Sequence, residues 1–262
     1  MLVSASRPRR GFVIVLAVAL ALPAASAAQD LSTFLSHPPA PGSWARYRVE
    51  TRDPASPDAP PKVSSFCLAV TGAETRGNRS YFWLETSPMD LARDKDGTLR
   101  ILIPTDPTPE EARNPFREIQ AAQFKPREGE SYQLSSSVVS MVRSQAHGAQ
   151  VTQILEPAGT EARPLGAHPA TPCEKAMLST RSEGDFFFRH RILEETGTYW
   201  FSDQTPFRLV EATLERTETR EGKSPRRRLV TVRLEEAGAT EAPSAFPTPP
   251  TRTRGIFSLL FR

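Results

Sequence analysis

The sequence predicts a mainly β protein (α+β), an antiparallel sheet carrying a few short helices, and two observations lead there. The first is 196–238, where three β-prone runs are separated by turn signals. Residues 198–202 are aromatic, 203–206 make a turn, 207–218 alternate, 221–225 turn again, and 229–234 alternate once more. In the last run Val230, Val232 and Leu234 share one face and Leu229, Thr231 and Arg233 the other. The second observation is a content of 25 prolines, gathered in clusters, which favours short strands and rigid turns over long helices. A meander that is apolar on one side needs a cover: further strands, a helix or a ligand.

Residues 1–27 predict an export signal and stand apart from the fold. Arg7, Arg9 and Arg10 form a positive segment, 11–22 an apolar one, and Ala25-Ser26-Ala27 a small-residue cleavage motif before Ala28. The string Arg9-Arg10-Gly11-Phe12-Val13 suits either a basic general-secretion signal or a twin-arginine one. No Cys follows the apolar segment, which argues against a lipid-anchored precursor, and no later segment is long enough to span a membrane. The mature chain is therefore expected in the periplasm or outside the cell, with no transmembrane span. Of 33 basic and 30 acidic residues, three of the basic ones lie in this signal, so the mature chain is balanced. That balance argues against a nucleic-acid partner, whose binding draws on clustered uncompensated Lys and Arg.

A single domain is expected over 28–238, followed by a Pro-rich linker and an apolar tail over 239–262. Within the domain, 44–50 alternates as a first strand, with Ala45, Tyr47 and Val49 against Trp44, Arg46 and Arg48. Residues 63–71 make a second strand, with Phe66, Leu68 and Val70 opposite Cys67 and Ala69, and 81–85 a third, rich in rings. Asp94-Lys95-Asp96-Gly97 reads as a hairpin turn leading into 98–103. Thr108-Pro109-Glu110-Glu111 and Asn114-Pro115 are helix starts, with Phe116, Ile119 and Gln123 at helical spacing, so two short helical pieces are expected. Residues 132–134 read as extended. Residues 138–146 suit either a helix, through Val138, Met141, Val142 and Gln145, or a Val-rich strand. A loop with one short strand at 151–155 is expected over 149–171, because Pro157, Pro164 and Pro169 punctuate it, and 173–180 and 186–193 read as strands. Beyond Gly238, the terminal 255–262 aligns Phe257, Leu259 and Phe261 if extended; it either packs on its own domain or acts as an apolar plug for a groove or a partner sheet.

The residues of catalysis do not assemble in the sequence, and no enzyme, cofactor or metal is expected. His37, His147, His168 and His190 are scattered, without the paired or Cys-rich spacing of zinc sites. Ser136 and Ser179 lack a nucleophile-elbow context. Asp94, Asp96 and Gly97 lack the later ligands of a calcium loop. The Arg226-Arg227-Arg228 run faces Glu215, Glu218 and Glu221 across a turn and predicts charge pairing on a solvated edge. Cys67 and Cys173, the only cysteines, suit either a disulfide, worth about 4–5 kcal/mol in the chain-entropy model, or two separate buried thiols.

Several short motifs together resemble a known group. Gly42-Ser43-Trp44 with Tyr47, Thr71-Gly72-Ala73-Glu74, Tyr81 with Trp83-Leu84-Glu85, Cys173, Tyr199-Trp200 with Ser202, and Pro206 with Leu209-Val210 resemble uncharacterised exported bacterial proteins. Those look like relatives of the outer-membrane lipoprotein carrier (lipoprotein-localisation) fold. The resemblance covers about 42–238 and implies a curved antiparallel half-barrel whose concave apolar face, covered by short helices, can receive acyl chains. The pieces over 109–123 would then be lid elements. The Pro-rich insertions and the C-terminal tail depart from the carriers, and no cargo-handling residue maps across. On this reading the chain is a binding protein with an apolar groove lined from Phe66, Leu68, Trp83, Trp200, Leu209 and Val232, receiving lipid or a lipidated protein. The rival is an envelope scaffold or assembly module acting on an envelope protein partner through edge strands or the tail.

Overall fold

A computed structural model describes residues 39–91, 94–108, 115–165, 169–186, 189–242, 244–255 and 258–259. The signal segment, the first helical piece over 109–114 and Phe257 and Phe261 lie outside them. Twelve strands form one open, curved sheet. In chain order they are β1 (Trp44–Arg52), β2 (Lys62–Arg76), β3 (Arg79–Leu91), β4 (Asp94–Pro104), β5 (Ala121–Lys125), β6 (Tyr132–Leu134), β7 (Gln150–Pro164), β8 (Ala170–Phe186), β9 (Arg189–Phe201), β10 (Leu209–Arg220), β11 (Arg226–Gly238) and β12 (Arg252–Arg254). Their spatial order is β12-β6-β5-β4-β3-β2-β1-β11-β10-β9-β8-β7, antiparallel except for the β12–β6 pair. Helix α1 (Ser136–Gly148) and a 3-10 turn (Pro115–Glu118) complete the described elements.

The alternation expected of β1 and β11 is observed: Ala45, Tyr47 and Val49 are buried on the same face as Val230, Val232 and Leu234. Curvature follows from the reach of α1. Its Cα atoms come within 8 Å of both β5 and β8, which are eight strand intervals apart in the sheet. On a flat sheet those strands would be about 38 Å apart, whereas a 13-residue helix is about 20 Å long. The sheet therefore curls around the helix, and the face that α1 covers is the concave one. Ser135 caps the helix by accepting a hydrogen bond from the Val138 N–H, and Arg117 of the 3-10 turn donates to the carbonyls of Ala146 and Ala149. These caps, with Val138, Val142 and Ala146 stacked on one side, settle residues 138–146 as helix rather than strand.

Elsewhere the structure departs from expectation for local reasons. Gln123 sits in β5, not in a helix, because 121–125 pairs with β4 and β6 and buries Ala122 and Phe124. Asp94–Gly97 is the bulged start of β4 rather than a turn. Gly97 is required there by packing: the Phe124 ring occupies the space of the missing side chain. Residues 149–171, expected as a loop with one short strand at 151–155, supply β7, in which that strand is extended to fifteen residues with Pro157 and Pro164 inside it. β7 is an edge strand, where a missing N–H breaks no ladder bond, and the register shift between Pro157 and Thr160 includes Gly159 at φ +94°. Likewise the described residues of 239–254, expected as a linker, pack on the domain, and Leu259 does so within the tail, in keeping with one of the two readings of that segment. Phe246 is buried, β12 extends the sheet beside β6, and Leu259 enters the main core.

Candidate functional site

Two faces of one sheet meet different chemistry. The concave face carries a single apolar cluster that runs from Phe124 and Tyr132 at one side, through Tyr47 and Phe66, to Tyr199 and Phe201 at the other. Tyr47 and Phe66 stack with ring centroids 4.9 Å apart, and the Tyr47 hydroxyl donates to the Leu209 carbonyl at 3.2 Å. Such pairs add to the burial energy of the rings themselves. Among the described residues, the members of this cluster outside the strands come from α1, from Phe116 and Ile119 in and just after the 3-10 turn, from Phe207 in the β9–β10 connection and from Leu259.

Of the six residues expected to line a groove, Phe66, Leu209 and Val232 belong to this concave cluster, and Leu68 packs partly buried against it. Trp83 and Trp200 do not, because alternation along β3 and β9 places them on the convex face. Each is held there in a similar way. Trp83 clusters with Tyr81, Leu102 and Ala121, its indole N–H donates to Glu74 at 3.0 Å, and the Arg100 guanidinium stacks 4.6 Å from the ring. The C-terminal segment covers that pad: Phe246 lies on the other side of Arg100, and buried Glu85 accepts from Ser244 Oγ and the Ala245 N–H. Trp200 clusters with Leu165, Cys173 and Val210, donates to Glu161 at 3.1 Å and receives Arg163 at 4.1 Å.

Cys67 and Cys173 are free thiols. They lie on β2 and β8, five strand intervals apart, or about 24 Å along a sheet. A disulfide needs Cα atoms within about 7 Å. Burial pushes both thiols up from their ordinary pKa.

The concave face is not apolar throughout. Register aligns Gln153, Thr180, Glu195, Arg216 and Arg228 in one row across β7–β11. The adjacent row on the same face is Leu155, Leu178, Gly197, Leu214 and Val230. Glu195 is 2% exposed and pairs with Arg216. Thr180 Oγ1 and Gln153 Nε2 are buried and make no hydrogen bond among the described residues, an arrangement that costs about 1–3 kcal/mol per group when nothing occupies the space. One turn of the pleat further out, Glu218 meets Arg220 at 2.7 Å and Arg191 at 3.5 Å. Desolvation alone would raise the Glu218 carboxyl, but the hydrogen bond from Arg220 and the charges of Arg220, Arg191 and Arg228 outweigh it and hold it below the ordinary value. Arg228 is half-buried and makes no hydrogen bond or ion pair among the described residues. Desolvation, then repulsion from Arg226 and, more weakly, from Arg216 and Arg220, outweighs the attraction of Glu218 and lowers its pKa.

The charge pairing expected of the Arg226-Arg227-Arg228 run therefore holds for one member. Arg227 pairs with Glu215 on the convex face, while Arg228 turns inward, and β10 and β11 are central strands rather than an edge. The polar row was not singled out in the sequence. Its signal is the continued alternation of Leu214, Arg216 and Glu218 and of Val230 and Arg228, where charge replaces apolar residues on the buried side. Among the described residues no group of three or more His, Cys, Asp and Glu is placed to hold a metal ion, and no helix is long and apolar enough to cross a membrane.

No family model and no curated protein matches the chain. Among solved structures it is similar to a "putative lipoprotein" from Parabacteroides distasonis, at 10% identity and a TM-score of 0.35 over 77% of this chain and 97% of that one. It is also similar to a "putative exported protein with YmcC-like fold" from Bacteroides fragilis, at 11% identity, the same TM-score and the same coverage. A likeness that loose transfers no activity to this chain.

Proposed function

We propose that this chain is an exported, non-enzymatic binding protein that receives a lipid, or the acyl chain of a lipidated protein, against the concave face of its sheet. The supporting observation is how lightly the described residues of α1 hold to that face. Helix α1 buries only Val138, Val139 and Ala146, with Val142 partly so. Each valine contributes about 1.5 kcal/mol on full burial, so apolar contact holds the helix in place by about 3–5 kcal/mol. A guest alkyl chain replaces that at about 0.8 kcal/mol per methylene. Displacing α1 would uncover an apolar floor continuous with Tyr47, Phe66 and Val232. Export rests on Arg7, Arg9, Arg10 and the Ala25-Ser26-Ala27 motif.

The test is titration of the mature chain, and of a chain ending at Gly238, with dansyl-undecanoic acid. Saturable fluorescence enhancement is expected in the mature chain, with tighter binding in a Val138→Ala/Val139→Ala variant whose helix is held more loosely. No saturable binding to either chain overturns the reading. A second reading draws on the edge strand β7, where Ile154 and Leu155, with Met177 beside them on β8, are exposed at 56%, 42% and 41%. Apolar groups along an unpaired edge suit strand addition by a partner protein. A chain that takes up no lipid but associates with itself, and loses that association in Ile154→Lys, would favour it.

A further inference from the structure

We infer that the polar row on the concave face is the seat of an anionic headgroup, a carboxylate or phosphate ester, with Arg228 as the guanidinium that meets it. The inference rests on the reading that this face takes an amphiphile, and it names which end of the guest goes where.

Charge is the first argument. Beyond Leu214 and Val230, the concave positions of β9–β11 hold Arg191, Arg216, Arg220, Arg226 and Arg228 against two carboxylates, Glu195 and Glu218. Glu195 engages Arg216, and Glu218 engages Arg220 and Arg191. That leaves Arg226, which is exposed, and Arg228, half out of water; Arg228 feels the repulsion of Arg226, Arg216 and Arg220 and the attraction of Glu218, which already engages two other arginines, and it has no counter-charge in contact among the described residues. A desolvated guanidinium repelled by its neighbours is stabilised by an anion from outside, and its planar fork suits two oxygens of one carboxylate or phosphate. The second argument is independent of charge. Thr180 is 6% exposed, yet Thr180 Oγ1 and Gln153 Nε2, in the same row, find no partner among the described residues. Buried polar atoms of native proteins are bonded to protein, water or ligand, so these two, on β8 and β7 at three and four strand intervals from Arg228, leave the far end of the row open to a polar guest or water. The third is continuity. Arg228 and Arg216 are two residues along their strands from Val230 and Leu214, whose side chains share the same face. A headgroup at the row thus directs its chain over the apolar row toward Val232 and Tyr47. Glu195 stays neutralised by Arg216 and does not oppose the anion.

The test compares dansyl-undecanoic acid, the corresponding dansyl-undecanol and inorganic phosphate on the mature chain and on Arg228→Met, with Arg228→Lys as the charge-conserving variant and Arg228→Gln as a second charge-removing one. The exposed convex pair of Arg46 with Glu236 supplies the control, Arg46→Met. The acid is expected to bind at least tenfold more tightly than the alcohol. Arg228→Met and Arg228→Gln should bring the acid to the affinity of the alcohol, Arg228→Lys should retain most of the preference, and Arg46→Met should change nothing. Equal binding of acid and alcohol by the mature chain overturns the headgroup seat while leaving lipid uptake standing. An unchanged acid affinity in both charge-removing variants overturns it as well. Phosphate alone binding as tightly as the acid reassigns the row to a free anion and overturns the headgroup. Absence of binding by both dansyl probes overturns this inference together with the reading on which it rests.

Discussion

The concave face has two ends, built by the same alternation on different strands and buried by different means. Toward β2–β5 it is ring and aliphatic, with Phe82, Ile103 and Phe124 almost wholly inaccessible. Toward the outer ends of β8–β11 the same alternation delivers Thr180, Glu195, Arg216, Glu218 and Arg228. At the first end stability comes from area removed from water, which depends little on the partner's identity. At the second, each buried charge needs a particular partner, and removing one leaves the other exposed to the full desolvation penalty. The difference teaches that a buried strand face is a geometric fact whose chemistry can change within two residues, here from Leu214 to Arg216.

The comparison can be broken most forcefully by truncation. Phe124→Ala is expected to destabilise the protein by about 3–5 kcal/mol, the usual cost of a lost ring plus its cavity, measured by urea unfolding. Glu195→Leu should cost about 3 kcal/mol, because Arg216 would lose its buried counter-charge, whereas Glu195→Leu with Arg216→Met should recover most of that loss. A double variant as unstable as the single one would show that the charged end is not held by this pair.

Acid should separate the two ends next. Glu218 has a folded-state pKa below its ordinary value of 4.5, so the unfolded chain binds its proton first as pH falls. Its contribution is present above pH 4.5 and is lost as pH drops through the folded value. The protection of the β9–β11 amides beyond Leu214, taken relative to the intrinsic exchange rate at each pH, should therefore fall before that of β3–β5 when pH is lowered from 5, and simultaneous loss would deny the distinction. The smallest effect is expected at Arg227→Ala. That side chain lies on the convex face against Glu215, exposed to solvent, and its removal should leave the urea midpoint unchanged.

Much of the fold was legible because alternation in strands is local. Ala45, Tyr47 and Val49, or Val230, Val232 and Leu234, declare a common face without knowledge of any partner. The site was less legible. Trp83 and Trp200 are large and apolar and read as groove residues, but a ring next to Arg100 or Arg163 with a Glu for its N–H is equally content on the convex face. Pro157 and Pro164 read as loop because a proline breaks a central strand, and only the position of β7 at the edge lets them stand. The segment after Gly238 reads as linker by composition, yet Glu85 and Arg100, over a hundred residues away, bind Ser244, Ala245 and Phe246.

By itself, the amino-acid sequence determined the β class, the inward face of the strands that alternate cleanly, and the scatter of the histidines, since each depends on residues close together along the chain. Tertiary structure alone decided which tryptophans face outward, that the two thiols stand apart, that α1 spans the curl from β5 to β8, and that five strands align their polar groups in one row. Those outcomes depend on strand order and register, and the pairing of β10 with β9 and β11 brings together residues whose sequence neighbours say nothing of one another.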